Sequence, residues 1–399
     1  MKNLNKINWD FSDFNSAKYP FDLNSIPWYP ATFISPIPRS LIASLSNVGD
    51  VVLDPFGGKG TTAIETALQN RIPLYSDLNP FIAENTKGLF AAIEYVLCGD
   101  QNLSCEKELV DKLVSEEKDI DSSISKYHVS NEVFDWFHKN TVRELMAIIE
   151  SIYLSIEEEN HRCELIKKLA FSAILKSASS QKGHFTYVTD NCKPKKTELK
   201  EKAAIQLYSD KVDQILKAAE EFVVQYKLMF PEGKLDEVLQ KRRVITGDAK
   251  DLAWIKNNSV DLVVTSPPYL CSQDYIKTMR LMNLFFENEQ AFTIEVKREI
   301  GARASRSAKS EIVVPQFYND MSTVFANISR VLKQEGIFAL IVGQGKSKVT
   351  SQYDIISDLI GILEKKYDFH LIFRKERQIG NRVIQVGGVD KESILILSR

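Results

Sequence analysis

The stretch DVVLDPFGGKGTTAIETALQNRIPLYSDLNP, residues 50–80, decides the fold of this chain. The apolar run at 51–54 predicts a buried strand, residues 61–70 predict a helix, and residues 73–77 predict a second strand. A glycine-rich turn joins the first strand to the helix, which is the arrangement of a βαβ unit. We therefore expect an α/β fold built on a parallel sheet.

Strand patterns return in the C-terminal part of the chain. They lie at residues 243–248, 261–266, 336–343, 369–376 and 392–398. A segment rich in turn-forming residues joins the last two patterns and is short enough for an antiparallel hairpin. The predicted architecture is a Rossmann-like, mostly parallel sheet that ends in this hairpin.

Between the two strand-rich parts the chain has a helical pattern. Glu, Lys, Leu and Ile recur at helical spacing, most clearly in residues 140–156 and 208–230. We predict that residues 1–98 and 241–399 together form one domain, and that residues 99–240 form a mainly helical insertion within it.

The composition is typical of a globular protein in a reducing compartment. Of the 399 residues, 44% are hydrophobic and 26% are charged, and the formal net charge is −2. Any positive surface for a nucleic acid must therefore be local. The five cysteines form no C-x-x-C pair and the N-terminus has no apolar signal region, so we expect a cytoplasmic protein without a metal site. No apolar run approaches the roughly 18 residues of a membrane span, so no membrane partner is expected.

The glycine-rich turn can be compared with three known ligand-binding motifs. A phosphate-binding loop requires Lys followed by Ser or Thr, but Lys59 is followed by Gly60. The dinucleotide motif requires a third glycine where Ala63 stands, so only its alanine variant remains open. The third motif, D-P-F-x-G-x-G-T, binds the cofactor S-adenosylmethionine. It is matched in full by Asp54, Pro55, Phe56, Gly58, Gly60 and Thr61.

A second motif follows the strand pattern at 261–266. The tetrapeptide S-P-P-Y stands at Ser266, Pro267, Pro268 and Tyr269. Proline cannot donate to a strand ladder, so the two prolines serve a purpose other than sheet pairing. They fix the backbone at the carboxyl end of a parallel strand, where such sheets bind their ligands.

Together, the two motifs resemble those of the DNA amino-methyltransferases. These S-adenosylmethionine-dependent enzymes modify N4 of cytosine or N6 of adenine, and their catalytic signature is (D/N/S)-P-P-(Y/F/W). The resemblance covers about residues 1–100 and 240–399 and is weaker between them. It implies the Rossmann-like fold of class I methyltransferases, S-adenosylmethionine as the cofactor and double-stranded DNA as the partner.

The resemblance also implies the roles of the tetrapeptide. The Ser266 side chain and the Pro267 carbonyl would accept hydrogen bonds from the exocyclic amine, and Pro268 would keep the backbone rigid. Tyr269 would stack on the base after it is flipped out of the duplex. The amine would attack the methyl group directly, since Cys271 does not stand where C5-cytosine enzymes carry their nucleophilic thiol.

Cofactor-binding residues follow from the same resemblance. Asp54 is expected near the methionine end, Asp77 at the ribose hydroxyls and Asp248 at the adenine amino group. The segment 29–45 is similar to the one that closes over the methionine moiety. The expected contacts are Phe33, Ile34, Asp54, Pro55, Phe56, Gly57, Gly58, Gly60, Thr61, Thr62, Asp77, Leu78, Asp248, Ala249 and Thr265.

Two basic clusters are candidates for contacts with DNA phosphates, and a solvated surface is the alternative for each. The candidate residues are Lys193, Lys195 and Lys196 in the first cluster, and Lys297, Arg298, Arg303, Arg306 and Lys309 in the second. Family members with this motif order commonly recognise their target between the two motifs. We therefore predict target recognition mainly in residues 99–240.

Several alternatives remain open at this point. S-P-P-Y favours N4 of cytosine over N6 of adenine, although adenine enzymes also contain it. An RNA base methyltransferase would use the same chemistry, usually with N-P-P-Y and a separate RNA-binding domain. A catalytically idle nucleic-acid-binding scaffold is disfavoured because Asp54, Asp77, Ser266 and Tyr269 are intact. A restriction or defence-system protein as a second partner and the oligomeric state are not decided by the sequence.

Overall fold

The computed structural model describes residues 4–12, 14, 19, 22–27, 29, 33–116, 119–181, 193–272, 274–286, 296–302, 310–343, 345, 349–379, 389 and 391–399. Within these ranges, seven strands form one sheet. In chain order they are β1 (Val51–Asp54), β2 (Ile72–Asp77), β3 (Arg243–Thr246), β4 (Val260–Thr265), β5 (Leu332–Gly343), β6 (His370–Gln378) and β7 (Lys391–Ser398).

The sheet order is β3-β2-β1-β4-β5-β7-β6. Strands β1 to β5 pair in parallel, while β7 is antiparallel to both β5 and β6. This confirms the predicted mostly parallel sheet with a C-terminal antiparallel hairpin. Strand β5 begins earlier than the expected residue 336, because Leu332 already pairs with Val260 before an irregularity in the register.

Strand β1 lies at the centre of the parallel part, and the chain turns in opposite directions on its two sides. Strands β2 and β3 extend the sheet on one side, and β4 and β5 extend it on the other. This reversal is the topological switch point, where the loops after neighbouring strands diverge and leave a crevice for a ligand.

Helices cover both faces of the sheet. In chain order they are α1 (Pro36–Leu45), α2 (Thr61–Leu68), α3 (Pro80–Leu97), α4 (Glu106–Ser115), α5 (Ile120–Lys126), α6 (Val133–Trp136), α7 (Lys139–Glu157), α8 (His161–Ala178), α9 (Ala204–Met229), α10 (Leu235–Lys241), α11 (Arg280–Phe285), α12 (Ser310–Val331) and α13 (Ile355–Tyr367). The predicted helices at 140–156 and 208–230 are therefore present as α7 and α9. No described helix is long and apolar enough to cross a bilayer.

Different helices pack against the two faces of the sheet, and successive strand residues contact one set or the other. Val52 and Leu262 pack with Leu41 of α1, whereas Leu53 and Val263 belong to the core formed with α12 and α13. Because neighbouring strand residues point to opposite faces, both residues of each pair are buried. This explains why these strands read as continuous apolar runs.

The helices between β2 and β3 pack around a hydrophobic core that they share with other helices of the molecule. Helices α4 to α9 bury large aromatic side chains such as Trp136 and Phe171. The same core includes side chains of α2, α3 and α11. The division into a catalytic domain and an insertion at residues 99–240 therefore stays a prediction, since α3 contributes to both.

Gly88 is the point of closest approach between α3 and α8. A Cβ atom added at Gly88 would lie 2.7 Å from the Leu165 carbonyl oxygen and 2.8 Å from Leu169 Cβ. Glycine is a poor helix former, so its presence inside α3 is explained by this packing.

We expect Gly88→Ala to lower the free energy of unfolding by about 1–3 kcal/mol, because the helices must separate to admit the methyl group. Gly361→Ala in α13 is the matched control, since a Cβ there meets nothing within 4 Å. The control should raise stability by up to about 1 kcal/mol through helix propensity. Urea unfolding followed by circular dichroism measures both, and equal stabilisation by the two substitutions would contradict the packing argument.

Candidate active site

A pocket opens at the carboxyl ends of β1, β2, β3 and β4, at the switch point of the sheet. It contains roughly 820 Å³ of empty space, including its open mouth. This volume is within the range of small-molecule and cofactor sites. The loops after the four strands form its walls, so residues distant in sequence meet because parallel strands end at one edge.

The turn after β1 is shaped by two glycines. A Cβ at Gly57 would lie 2.1 Å from the ring of Tyr75, and at Gly60 it would lie 2.8 Å from Thr86. Gly60 also has a φ of 85°, in the left-handed region that other residues avoid. The turn can therefore press against β2 and α3 and place the N-terminus of α2 at the pocket.

Asp54 ends β1 at the base of the pocket. One of its carboxylate oxygens, Oδ1, accepts hydrogen bonds from Thr265 Oγ1 at 2.6 Å and from the Phe56 amide at 3.1 Å. Burial raises the pKa of Asp54 to about 6, against the lowering effect of these hydrogen bonds. The bond from Thr265 connects the first motif directly to the strand that carries the second.

Asp77 ends β2 on the adjoining wall. Its Oδ2 accepts a hydrogen bond from the Gly58 amide at 2.9 Å, and its Oδ1 accepts one from the Asn79 amide at 2.8 Å. Burial raises the pKa of Asp77 to about 6 as well. Two oxygens with spare lone pairs suit a ligand that presents hydroxyl groups.

The adenine-side residue expected from the sequence, Asp248, is paired in the structure. Its Oδ2 lies 3.1 Å from a guanidinium nitrogen of Arg298, and its Oδ1 accepts a hydrogen bond from the Lys250 amide. Arg298 was expected at DNA phosphates, but it lines this pocket. Its guanidinium is paired with the carboxylate of Asp248 there, and its contact with DNA phosphates stays a prediction.

A segment at 298–300, together with Tyr275 and Ile276, covers one side of the pocket. Glu299 accepts hydrogen bonds from the Tyr275 amide at 2.7 Å and the Ile276 amide at 3.3 Å. Burial raises the pKa of Glu299 to about 7. Tyr29 reaches across, and its hydroxyl donates to the Tyr275 carbonyl at 3.5 Å. The N-terminal segment is thereby joined to the segment that follows the S-P-P-Y motif.

Sequence reasoning did not find every residue of the pocket. The unexpected members are Tyr29, Lys59, Tyr275, Ile276, Glu299 and Ile300. Tyr29 begins the segment 29–45 and Lys59 lies within the glycine-rich motif, so their position in the sequence could have indicated them. The others are brought in by chain that returns to the pocket after β4, which no local pattern indicates.

Most expected cofactor contacts do line the pocket. These are Phe33, Asp54, Pro55, Phe56, Gly57, Gly58, Thr61, Asp77, Leu78, Asp248 and Ala249. Four others support the pocket from behind. Ile34 packs against the core on the α1 side, Gly60 precedes α2, Thr62 is buried in α2, and Thr265 holds Asp54.

The S-P-P-Y tetrapeptide is divided between the pocket and the core. Ser266 and Pro268 line the pocket beside Asp54, whereas Pro267 and Tyr269 are not part of its wall. Tyr269 is buried, and its hydroxyl donates to Glu392 Oε2 at 2.8 Å. Ser266 and the glycine-rich turn after β1 therefore line one cavity.

The pocket has an unsatisfied polar group that fits the expected cofactor. Thr61 Oγ1 is buried at the N-terminus of α2, with no hydrogen-bond partner among the described residues. A ligand bound in the pocket would give this hydroxyl the hydrogen-bond partner that it lacks among the described residues. With the carboxylates of Asp54 and Asp77 and the apolar side chains of Phe56 and Leu78, the pocket suits a cationic ligand that carries hydroxyls and an aromatic ring.

The first basic cluster is only partly free for DNA. Lys193 lies 2.6 Å from Asp135 and 5.9 Å from the centre of the Trp136 ring, so it is held by the protein itself. Lys195 and Lys196 are exposed, as is Lys297 of the second cluster. Arg303, Arg306 and Lys309 lie outside the described residues.

Sequence comparison finds a known family that is similar to the part of the chain containing the glycine-rich turn. Residues 2–168 match the sequence model of a family described as DNA methylase. Type II methyltransferase M.MjaII of Methanocaldococcus jannaschii is 21% identical, over 86% of this chain and 76% of that protein. Type II methyltransferase M.MjaI of the same organism is 26% identical, over 32% of this chain and 41% of that protein.

Similarity to solved structures is more distant. The rRNA methyltransferase aviRa of Streptomyces viridochromogenes has a TM-score of 0.36 and 12% identity, covering 96% of this chain and 93% of its own. TrmN of Thermus thermophilus has a TM-score of 0.33 and 10% identity, covering 95% of this chain and 52% of its own. The family model over residues 2–168 and the two type II methyltransferases agree with the predicted resemblance and with S-adenosylmethionine as the expected cofactor.

We expect the affinity for S-adenosylmethionine to fall as the pH is lowered through about 6. Asp54 and Asp77 are ionised above their raised pKa and become neutral below it, which removes the negative charge that faces a cationic ligand. At pH 5 the loss should be about tenfold for each carboxylate that must be ionised. Isothermal titration calorimetry between pH 7.5 and pH 5 measures it.

Asp77→Asn is the control for this pH dependence. The variant should bind the cofactor more weakly at pH 7.5 and lose less affinity on acidification, because only Asp54 remains to titrate. An affinity that stays constant between pH 7.5 and pH 5 in the unsubstituted chain would show that these carboxylates do not act as ionised ligands.

Proposed function

We propose, on the premise that residues 2–168 belong to the DNA methylase family, that this chain methylates N4 of cytosine in double-stranded DNA. The base is flipped out of the duplex and its exocyclic amine attacks the methyl group directly. The observation that carries the proposal is that Ser266 of S-P-P-Y lines the same cavity as Asp54 and Asp77. Binding of the cofactor and activation of the amine are thus adjacent.

The residues present fit S-adenosylmethionine as the cofactor, which supplies an electrophilic methyl group on a positively charged sulfur when it is bound. Asp54 would face its methionine end and Asp77 its ribose hydroxyls. The buried Thr61 hydroxyl would gain a partner. Asp248 would face the adenine, and Arg298 beside it supplies a flat cation at that end of the pocket.

The amine of cytosine is a weak nucleophile because its lone pair is delocalised into the ring. Ser266 Oγ and the Pro267 carbonyl oxygen would accept hydrogen bonds from its two protons, which keeps the lone pair on nitrogen. Thr265, one residue earlier, is held by Asp54 at 2.6 Å, so the serine has a fixed position relative to the cofactor pocket. Alignment of amine and methyl group then supplies most of the rate acceleration.

The helical insertion is proposed as the region that recognises the DNA target. Its core is connected to α11, which follows the catalytic tetrapeptide. Phe285 packs edge-on against Phe137 at 5.7 Å and Phe171 at 5.1 Å, and the Ser130 amide donates to the Leu284 carbonyl at 2.8 Å. Contacts made by the insertion with DNA would therefore act on the segment next to the reacting base.

The exposed lysines define where phosphates would bind. Lys195 and Lys196 at the insertion and Lys297 beside the pocket are exposed, and we propose them as phosphate contacts. Lys193 is assigned a structural part, since Asp135 neutralises it.

Methyl transfer to nucleic acid tests the function directly. The chain is incubated with S-adenosylmethionine carrying a tritiated methyl group and either unmethylated genomic DNA or total RNA, and the labelled nucleosides are identified by mass spectrometry. We expect N4-methylcytosine in the DNA. N6-methyladenine would correct the base, label in RNA alone would correct the polymer, and label in neither would overturn the enzymatic function.

Substitutions separate catalysis from cofactor binding. Ser266→Ala should lower the rate of transfer at least about a hundredfold while the dissociation constant of the cofactor changes less than about twofold, because the serine contacts the amine. Asp77→Ala should raise that dissociation constant by about tenfold to a hundredfold, or about 1.4–2.8 kcal/mol. Single-turnover kinetics and calorimetry measure the two effects, and full activity of Ser266→Ala would refute the mechanism.

A further inference from the structure

A chain of buried hydrogen bonds leads from the catalytic serine into the C-terminal hairpin. Ser266 Oγ donates to the Tyr269 hydroxyl at 3.3 Å, and that hydroxyl donates to Glu392 Oε2 at 2.8 Å. The other oxygen of Glu392 is paired with the guanidinium of Arg377. Arg377 in turn donates from Nε to the Trp9 carbonyl at 2.8 Å. The chain thus connects four separate parts of the sequence.

These groups are as buried as core residues. Tyr269, Glu392 and Arg377 each expose less than a tenth of their surface. The Tyr269 ring is seated against Gly343, where an added Cβ would lie 2.7 Å from a ring carbon. A buried carboxylate is costly unless it is paired, and Arg377 provides that pairing. The packing of the ring fixes the position of the Tyr269 hydroxyl, and the paired Glu392 fixes the direction in which this hydroxyl donates.

The direction of these bonds matters because of what Ser266 must do. In the proposed reaction its oxygen accepts a hydrogen bond from the amine of the base. A hydroxyl can donate as well as accept, unlike a carboxylate or an amide oxygen, so its own proton must point elsewhere. A carboxylate paired with a guanidinium only accepts, so Glu392 accepts the hydrogen bond from the Tyr269 hydroxyl, and the tyrosine oxygen is left to accept one from Ser266.

We propose that Glu392 is a positioning residue that, through Tyr269, orients the Ser266 hydroxyl so that its lone pairs face the amine of the base. This inference rests on the proposed function, because it concerns how the same serine is prepared for the reaction. It assigns the C-terminal hairpin a part in the chemistry and gives the Tyr269 hydroxyl a role distinct from that of its ring.

Two substitutions break the chain at different points. Glu392→Gln replaces the acceptor by an amide of the same shape that can donate to the tyrosine. Tyr269→Phe removes the acceptor for Ser266 while the Glu392–Arg377 pair stays intact. It therefore tests the same chain of hydrogen bonds even if Glu392→Gln does not fold. We expect each to lower kcat by about tenfold or more, with the KM for DNA and the dissociation constant of S-adenosylmethionine within about twofold. Glu376→Gln is the matched control, since that carboxylate pairs with Lys391 on the exposed face of the same hairpin.

A change at Ser266 distinguishes orientation from mere structural support. Asparagine at this position, as in N-P-P-Y, offers an amide oxygen that only accepts and needs no orienting partner. In the Ser266→Asn background, Tyr269→Phe and Glu392→Gln should therefore lower kcat by less than about twofold. Circular dichroism and thermal unfolding of every variant establish that each is folded.

The outcomes separate this inference from the function on which it rests. Transfer by the unsubstituted chain is measured first, and its absence counts against the proposed function. With that activity established, the orienting role is supported if Tyr269→Phe and Glu392→Gln lower kcat only when residue 266 is serine. Equal losses in the serine and asparagine backgrounds, or full activity of Tyr269→Phe, overturn it while the methyltransferase assignment stands.

Discussion

The site depends on the hydrogen bond from Thr265 Oγ1 to Asp54 Oδ1, 2.6 Å long and fully buried. Asp54 ends β1 and begins the glycine-rich turn, while Thr265 ends β4 and precedes the S-P-P-Y tetrapeptide. More than 200 residues separate the two in the sequence. The bond therefore fixes the glycine-rich turn relative to Ser266 across the switch point, where the sheet itself leaves a crevice.

The buried carboxylates of this site are stabilised in two different ways. Burial raises the pKa of Asp54 and of Asp77 to about 6, while hydrogen bonds from backbone amides and a hydroxyl lower it in part. Glu392 behind Tyr269 is instead held by Arg377. The first arrangement leaves negative charge available to a cationic ligand, and in the second an ion pair fixes the position of the carboxylate that accepts from Tyr269.

The helices between β2 and β3 are more than an appendage to the sheet. They share a hydrophobic core with α2, α3 and α11, and Gly88 allows α3 and α8 to approach closely. Because α11 follows the S-P-P-Y motif in the chain, packed aromatic side chains connect the segment after this motif to the helices between β2 and β3.

The parallel sheet, its hairpin and the two motifs could be predicted from the sequence alone, because strand periodicity, glycines in a tight turn and paired prolines are local features. The tertiary structure alone decided that Arg298 pairs with Asp248, that Glu299 lies over the pocket, and that Tyr269 is buried against Glu392. These contacts join segments far apart in the chain, and no local pattern encodes them. Their partners are chosen by the packing of the strands that deliver them to one edge of the sheet.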